Sequence, residues 1–459
     1  MTPPSSLGPL PSRARVVVVG AGYAGLSAAL RLHDLGIEVL VLEAADRVGG
    51  RVHSEDRGDL VIDHGGQWVG PTQKHLLALA ARFDCATFPT WETGEHVEVW
   101  RDGSTVGYVG AAPTSGPGIE DYERITDELD ELARRVDLEH PWLTPDFEAL
   151  DAMTAEDWFR SRTSDEDALA RLALTIQGVW CTEPREISML HVLFYVHAAG
   201  GYEQLMETGG CAQDSRFVDG AAAPARAVAG LLGDRVRLGT AVTSLEQRDG
   251  HVVVHTADGE VTAERVIVTV PPTATGRITF TPPLPAAHQG WRAQAAMGRV
   301  AKVHAAYDIP FWRADGHSGV ATLYHDRAVG VVFDNSPHDA RRGVLVAFVY
   351  GDRLDAWAQL DDAARRAAVL DDLARTVGPQ ALSPTDYTEK IWPADPYAEG
   401  GYEAYLRPGG WSAYGRDGWR TPAGSVHFAG SETASVWNGY IDGAISSGER
   451  AAEEVAAVL

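Results

Sequence analysis

The chain has 459 residues, too many for one ordinary core; 45% hydrophobic and 22% charged residues suit a folded, water-soluble protein. Lys plus Arg number 39 and Asp plus Glu 64, and the net charge of −25 argues against nucleic acid or an anionic membrane as partner. The three cysteines form no CxxC pair, which suits a reducing, cytoplasmic setting without disulfides, and the absence of 18 consecutive apolar residues argues against a membrane span.

Met1 to Arg15 is rich in Pro and Ser and lacks the apolar stretch of a signal peptide, so a frayed leader is expected. Val16 to Val19 is a β-branched run suited to a strand buried on both faces. Gly20, Gly22 and Gly25 then form GxGxxG, followed by helical spacing over Leu26 to Leu35 and a stop at Gly36. A second apolar run, Ile37 to Leu42, ends in Glu43. The glycines allow a sharp turn, close approach of a pyrophosphate and tight packing of helix on strand. The acid is placed to accept from a ribose diol. Strand, loop, helix, second strand and acid in this order predict a dinucleotide-binding unit. Arg47-Val48-Gly49-Gly50-Arg51 follows, which suits a cofactor that continues past its pyrophosphate.

Asp63-His64-Gly65-Gly66-Gln67-Trp68 places two glycines where backbone can lie against a flat ring. Trp91 to Val109 reads as strands, Ile119 to Val136 as an amphipathic helix with a solvated acidic face, and Asp157 to Leu193 as further helices. Val236 to His255 and Arg265 to Val270 return to strand patterns, the latter ended by Pro271-Pro272. Lys302 alternates with valines in a strand, and Phe311-Trp312 follows. Val331 to Phe348 reads as paired strands, and Asp361 to Val377 as a surface helix. Val426 to Thr433 and Trp437 to Ala444 give a strand, a glycine turn, a glutamate and an aromatic–glycine turn, before a closing helix over Ala444 to Leu459. The 16 histidines form no HExxH or similar pair, and no metal is expected.

These stretches resemble the flavin-containing amine oxidases over nearly the whole chain. The resemblance rests on the LEAxxRxGGR run to Arg51, the DxGGxxVGPTQ segment from Asp63, the VIVxxPP stretch, the MGxxxK…FW stretch around Lys302 and the FAGxETxxxWxGYxxGA stretch. It implies a mixed α/β fold with a Rossmann-type FAD domain over 15–90, 216–300 and 420–459. An interleaved substrate domain of sheet and helices over 91–215 and 301–419 is implied with it. It implies cofactor contacts from Gly20, Gly22, Gly25, Glu43, Arg51, Gly65, Gly66, Gln67, Val242, Trp392, Gly430, Glu432 and Tyr440. Lys302 would hold a water beside the flavin and favour oxygen reduction by its charge. Gln177, Gly178, Gln213, Phe348 and Tyr402 would line the substrate pocket, with Val331 shaping its size.

The sequence departs from the family at Gly400-Gly401-Tyr402-Glu403. Monoamine oxidases carry the flavin on a cysteine at the Tyr402 position, and none of the three cysteines lies near, so non-covalent FAD is expected. An aromatic residue is common at the Glu403 position, opposite Tyr440. Three roles are open for Glu403: anchor for a distal cation, general base, or structural residue. The implied activity oxidises an amine to an imine, which hydrolyses to an aldehyde or ketone and ammonia, while O2 becomes H2O2. Lys302, Tyr440 and Glu403 are the catalytic candidates. A polyamine oxidase, an L-amino-acid oxidase with Arg216 as carboxylate partner, a flavin desaturase and a non-enzymatic flavoprotein scaffold are the alternatives. A small-molecule amine and O2 are the expected partners, without nucleic acid or membrane, and a homodimer is possible on this fold.

Overall fold

The computed structural model describes residues 8–324 and 327–459. The first apolar run becomes the strand Arg13–Val19, in which Val16, Val17 and Val18 are fully buried. It lies between two parallel neighbours, Val39–Leu42 and Gly259–Val268. Val236–Arg237 extends the sheet at one edge. On the other side, Val426–Phe428 pairs in parallel with the end of Gly259–Val268, and the ribbon of His251–Thr256 and Val242–Arg248 pairs antiparallel with its beginning. Burial on both faces explains why these runs are continuously apolar rather than alternating. The expected leader lies outside the described residues over 1–7, and Arg13 to Arg15 belong to the strand instead of fraying, because Arg13 and Ala14 already pair with Thr262 and Ala263.

Helix Tyr23–Asp34 links the first two strands and packs along helix Ile441–Ala456. The closing helix therefore begins three residues before the expected Ala444. Gly439, with φ of +78°, turns the chain, and the Asp442 carboxylate then accepts from the Leu76 N–H at 2.8 Å within the first helical turn.

A second sheet runs in the order Asp386–Ile391, Val300–Tyr307, Gly343–Tyr350, Val331–Asp334, His317–Leu323, Glu95–Val99 and Thr105–Tyr108. All its pairs are antiparallel except His317–Leu323 with Glu95–Val99. Register sets Lys302 opposite Phe348. Helices Ile119–Ala133, Glu166–Trp180 and Met189–Ala199 share a third core with Trp411, Trp419 and Trp437. The surface helix spans Asp362–Val377, capped by the Asp361 carboxylate. Among the described residues no helix is long and apolar enough to cross a membrane.

The contact between the first and last helices leaves no space at Gly448, where a Cβ would overlap the Ala24 carbonyl. Gly448→Val is expected to destabilise the fold by about 1–3 kcal/mol through overpacking. A lower thermal midpoint of unfolding is the check; an unchanged midpoint would mean that the two helices part without cost.

Candidate active site

One cavity of about 1030 Å3 connects the glycine loop of the first sheet to the face of the second sheet and to the helical core. Gly20 adopts φ of +105°, and a Cβ on Gly25 would overlap the Gly20 carbonyl, so loop and helix meet only because both are glycine. Gly22 heads the helix without a side-chain cap and lies on the cavity wall with Gly20, Gly49 and Gly50. Unpaired N–H groups at such a terminus suit a pyrophosphate. Glu43 lies on the same wall. Its two oxygens accept from the N–H groups of Ala21 at 2.6 Å and Ala45 at 2.8 Å, so it braces the loop as well as facing the cavity. Val242 completes this end. An elongated cavity with an uncapped helix terminus and a wall carboxylate fits a dinucleotide.

Arg51 also lines the wall. Its guanidinium meets the Glu432 carboxylate in a two-pronged pair at 2.5 and 3.0 Å, and also donates to the Tyr402 carbonyl at 3.0 Å and the Ser431 hydroxyl at 3.1 Å. Glu432 also accepts from the Ala404 N–H at 3.1 Å. Arg51 holds the Glu432 carboxyl below its ordinary value against the opposing effect of burial. Gly430 faces the cavity, whereas Glu432 is not on its wall and acts through Arg51.

The backbone at Gly65 is pinned from two sides. A Cβ there would overlap the Arg51 carbonyl and lie 3.0 Å from the Trp392 ring, whose Nε1 donates to the His64 carbonyl at 2.8 Å. Lys302 is 2% exposed and donates to the Gly65 carbonyl at 2.8 Å and to Gln67 Oε1 at 2.5 Å. Gln67 in turn donates to Asn335, which also accepts from Arg216. Burial pushes the Lys302 ammonium down to about 7. The rings of Trp68 and Phe348 stand 5.5 and 5.6 Å from the Lys302 nitrogen. Phe333, Tyr350 and Tyr402 extend this aromatic floor, and the hydroxyls of Tyr350 and Tyr402 lie 3.3 Å apart.

Other expected residues fall differently. Gly66, Gly178, Gln213, Phe348, Tyr402 and Tyr440 are on the wall. Gln177 is not; its amide donates to Glu183 at 2.8 Å, because its helix turns that side chain away from the cavity. Glu403 is fully buried and off the wall. Arg216 is also off the wall, with its guanidinium on the carbonyls of Asn335 and Ser336. Cys181, distant from Tyr402 in sequence, packs in the same cluster as Tyr402. The chain thus brings a cysteine near that position after all. It is fully buried, off the cavity wall, and burial pushes its thiol well up, which leaves it a poor nucleophile.

Several wall residues went unread in the sequence. Tyr350 follows Phe348 by two positions in a buried strand, so alternation puts both on one face. Tyr195 comes from Met189–Ala199, which is apolar all round and shows no periodic face. Tyr122, Glu123 and Thr126 reach the wall from the amphipathic helix Ile119–Ala133, Glu123 from the acidic face expected to be solvated. Glu92 joins them from one segment, and Glu203 and Glu207 from another, one turn apart on the short helix Tyr202–Met206 and its C-terminal cap. Burial, then the charges of Glu203 and Glu92, push the Glu207 carboxyl up to about 7.

The comparisons with known proteins agree with this geometry. Residues 23–456 match the family of flavin-containing amine oxidoreductases. AofH of Mycobacterium tuberculosis, which carries the name of a flavin-containing monoamine oxidase, is 40% identical over 446 residues, covering 97% of each chain. An L-amino acid dehydrogenase of Synechocystis is 34% identical over all of this chain and 98% of its own. A solved structure of putrescine oxidase bound to putrescine superposes with a TM-score of 0.93 at 34% identity, covering 97% of this chain and 99% of that one. The chain belongs to the flavin-containing amine oxidoreductase family and is a flavin-dependent amine oxidase.

Proposed function

We propose that the chain oxidises a small cationic amine, using non-covalent FAD held between the glycine loop and the aromatic floor. The observation that carries this reading is the pairing state of the wall's arginines. Arg171 is on Glu98 at 2.6 and 2.8 Å, Arg51 on Glu432, Arg277 on Glu399, and Arg47 on the Gly50 carbonyl. A substrate carboxylate would have to break one of these pairs, whereas a cation meets Glu92, Glu203 and Glu207. That favours an amine over an L-amino acid.

Segments 15–90, 216–300 and 420–459 form the flavin part in this proposal, and 91–215 with 301–419 the substrate part; the strand pairing of the two large sheets supports that division. When bound, the flavin supplies two-electron oxidation of the amine to an imine, with O2 as final acceptor and H2O2 as product. The protein's residues do the rest. Gly20, Gly22, Gly49 and Gly50 let the backbone approach a pyrophosphate. Gly65 and Gly66, pinned by Trp392 and Arg51, present a flat backbone to a ring. Lys302 supplies a buried positive charge, fixed by Gln67 and the Gly65 carbonyl. Tyr440, Phe348 and Tyr402 enclose the reacting carbon in an apolar setting that favours the neutral amine.

A diamine reading is favoured by the three carboxylates on one wall. Their mutual repulsion falls when a second ammonium binds between them. Anaerobic flavin reduction by benzylamine, cyclohexylamine, putrescine, spermidine and two L-amino acids tests the choice. Bleaching by amines and not by amino acids is expected; bleaching by amino acids alone overturns the reading. Glu207→Gln is expected to raise the KM for putrescine about tenfold, or ~1.4 kcal/mol, and leave benzylamine unchanged. Because Glu207 is the neutral acid below about 7 and the carboxylate above it, putrescine affinity is expected to rise with pH across that value.

Lys302→Met is expected to slow flavin reoxidation by O2 about tenfold or more, with little change in anaerobic reduction, since the lost charge matters where negative charge develops on oxygen. Equal effects on both half-reactions in stopped flow would sink that role. Denaturation and filtration are expected to release all flavin into the filtrate; retention on the chain would point to Cys181.

A further inference from the structure

Glu403 is the most anomalous group near the cavity. It is fully buried, and neither carboxyl oxygen has a hydrogen-bond partner. Its Oε1 stands 3.8 Å from His191 Nε2, on a side chain 4% exposed whose two ring nitrogens also lack partners. His191 and Tyr195 lie one turn apart on helix Met189–Ala199, so both present to the same side. At Gly439 a Cβ would collide with both Glu403 Oε2 and the Tyr195 hydroxyl, which places those two atoms together behind the turn that carries Tyr440. The Tyr195 ring packs on Tyr440 with centroids 5.9 Å apart, and both rings are on the cavity wall.

This geometry is unsuited to two of the roles open for Glu403. A distal-cation anchor must reach the cavity, and this carboxyl is off the wall. A resting general base must be ionised, and no cation is available to hold the charge. Arg51 is engaged by Glu432, whose own charge opposes a second anion, and burial keeps His191 neutral down to about 3. The titratable groups facing Glu403 are thus His191 and Tyr195 from the helix, Cys181 just past helix Glu166–Trp180, Arg51 from the first unit, and Glu432 and Tyr440 from the last, the tyrosines and the thiol being neutral. Burial pushes the Glu403 carboxyl well up, in keeping with that surrounding.

We propose that Glu403 is a positioning residue: as a neutral carboxylic acid it donates to His191 Nε2, accepts from the Tyr195 hydroxyl, and so holds the Tyr195 ring against Tyr440 on the substrate wall. The residue acts through Tyr195 and exchanges no proton with substrate. The inference rests on the assignment of the Tyr440 end of the cavity to the amine.

The test compares Glu403→Gln, Glu403→Leu and Tyr195→Phe holoenzymes. Glu403→Gln keeps a neutral donor and acceptor and is expected to reduce its flavin with an amine within about threefold of the wild-type rate, with the same acid limb in the pH profile. Glu403→Leu and Tyr195→Phe are expected to raise the amine KM about five- to tenfold with a smaller effect on the limiting rate. A carboxyl with a raised folded value gives stability that is present at low pH and lost as pH climbs above the usual 4.5. The thermal midpoint of the wild-type holoenzyme is therefore expected to fall relative to Glu403→Gln as pH rises.

A loss of about a hundredfold or more in the Glu403→Gln rate, with flavin still bound, would make Glu403 a base and overturn the proposal. A midpoint difference independent of pH, or an unchanged KM in both Glu403→Leu and Tyr195→Phe, would overturn it as well. If Glu403→Leu does not fold, Tyr195→Phe decides. A Tyr440→Leu control separates the two levels: unchanged KM there means the amine sits elsewhere, whereas a raised KM there with unchanged Tyr195→Phe means only the positioning role has failed.

Discussion

The Arg51–Glu432 pair is the contact on which the site depends. Arg51 follows the second glycine pair of the N-terminal unit, and Glu432 lies in the last strand–turn–helix of the chain. Through Tyr402 and Ala404 the same pair reaches the Gly400–Leu406 segment, which borders the aromatic floor. Three segments remote in sequence are thereby fixed around one wall of the cavity. Glu432 is buried and Arg51 half-buried, so removing Arg51 strands a buried carboxylate, at a cost below the ~3–5 kcal/mol of a fully buried pair. The pair also consumes the positive charge of Arg51, so the wall beside it is electrically closed. That is why Glu403, close behind it, has no cation to stabilise its ionised form.

A second polar chain crosses the interior from the opposite side. Lys302, Gln67, Asn335 and Arg216 are all buried and joined in sequence by hydrogen bonds. Each group fixes the next, so the Lys302 nitrogen is set by a network rather than by its flexible stem. Burial above all depresses Lys302; Asp63 counters part of the effect, and the Arg216 guanidinium adds a smaller push downward. An ammonium near 7 keeps its charge at neutral pH only in part. The protonation of this residue is therefore sensitive to whatever negative charge develops beside it.

Much of this was legible in the sequence because it depends on local rules. A glycine loop between a β-branched run and an amphipathic helix has few alternatives, and a buried parallel strand has a recognisable composition. The motifs around Lys302, Gly65 and Glu432 carried the rest through resemblance. What stayed hidden depends on contacts between segments that no local pattern records. Tyr195 lies on a helix buried on every side, so periodicity marks no face. Glu203 is one helical turn from Glu207, but burial of that turn and the approach of Glu92 from a remote segment leave no mark in the local pattern. Cys181 and Tyr402 are neighbours only because the end of helix Glu166–Trp180 and the Gly401 carbonyl both close on Gly298. Gln177 shows the converse: it sits one residue from a wall glycine, yet one helical step turns it away from the cavity and onto Glu183.

The two ends of the cavity pose opposite electrostatic problems, and the fold solves them with different means. At the glycine loop an anion must be held, and the means are backbone N–H groups at an uncapped helix terminus, which need no side-chain cation. At the substrate end an amine must enter as a cation and react as a neutral base. The acids that attract it, Glu92, Glu203 and Glu207, lie on segments apart from the aromatic floor of Trp68, Phe348 and Tyr350. The Glu403 carboxyl, beside Tyr440, is turned behind Gly439 and surrounded by groups that keep it uncharged. An ionised carboxylate facing that floor would stabilise the ammonium and hold the lone pair back from oxidation. Burying Glu403 thus removes the negative charge from the place where it would oppose the chemistry, while its polar atoms remain available to order the tyrosine beside it.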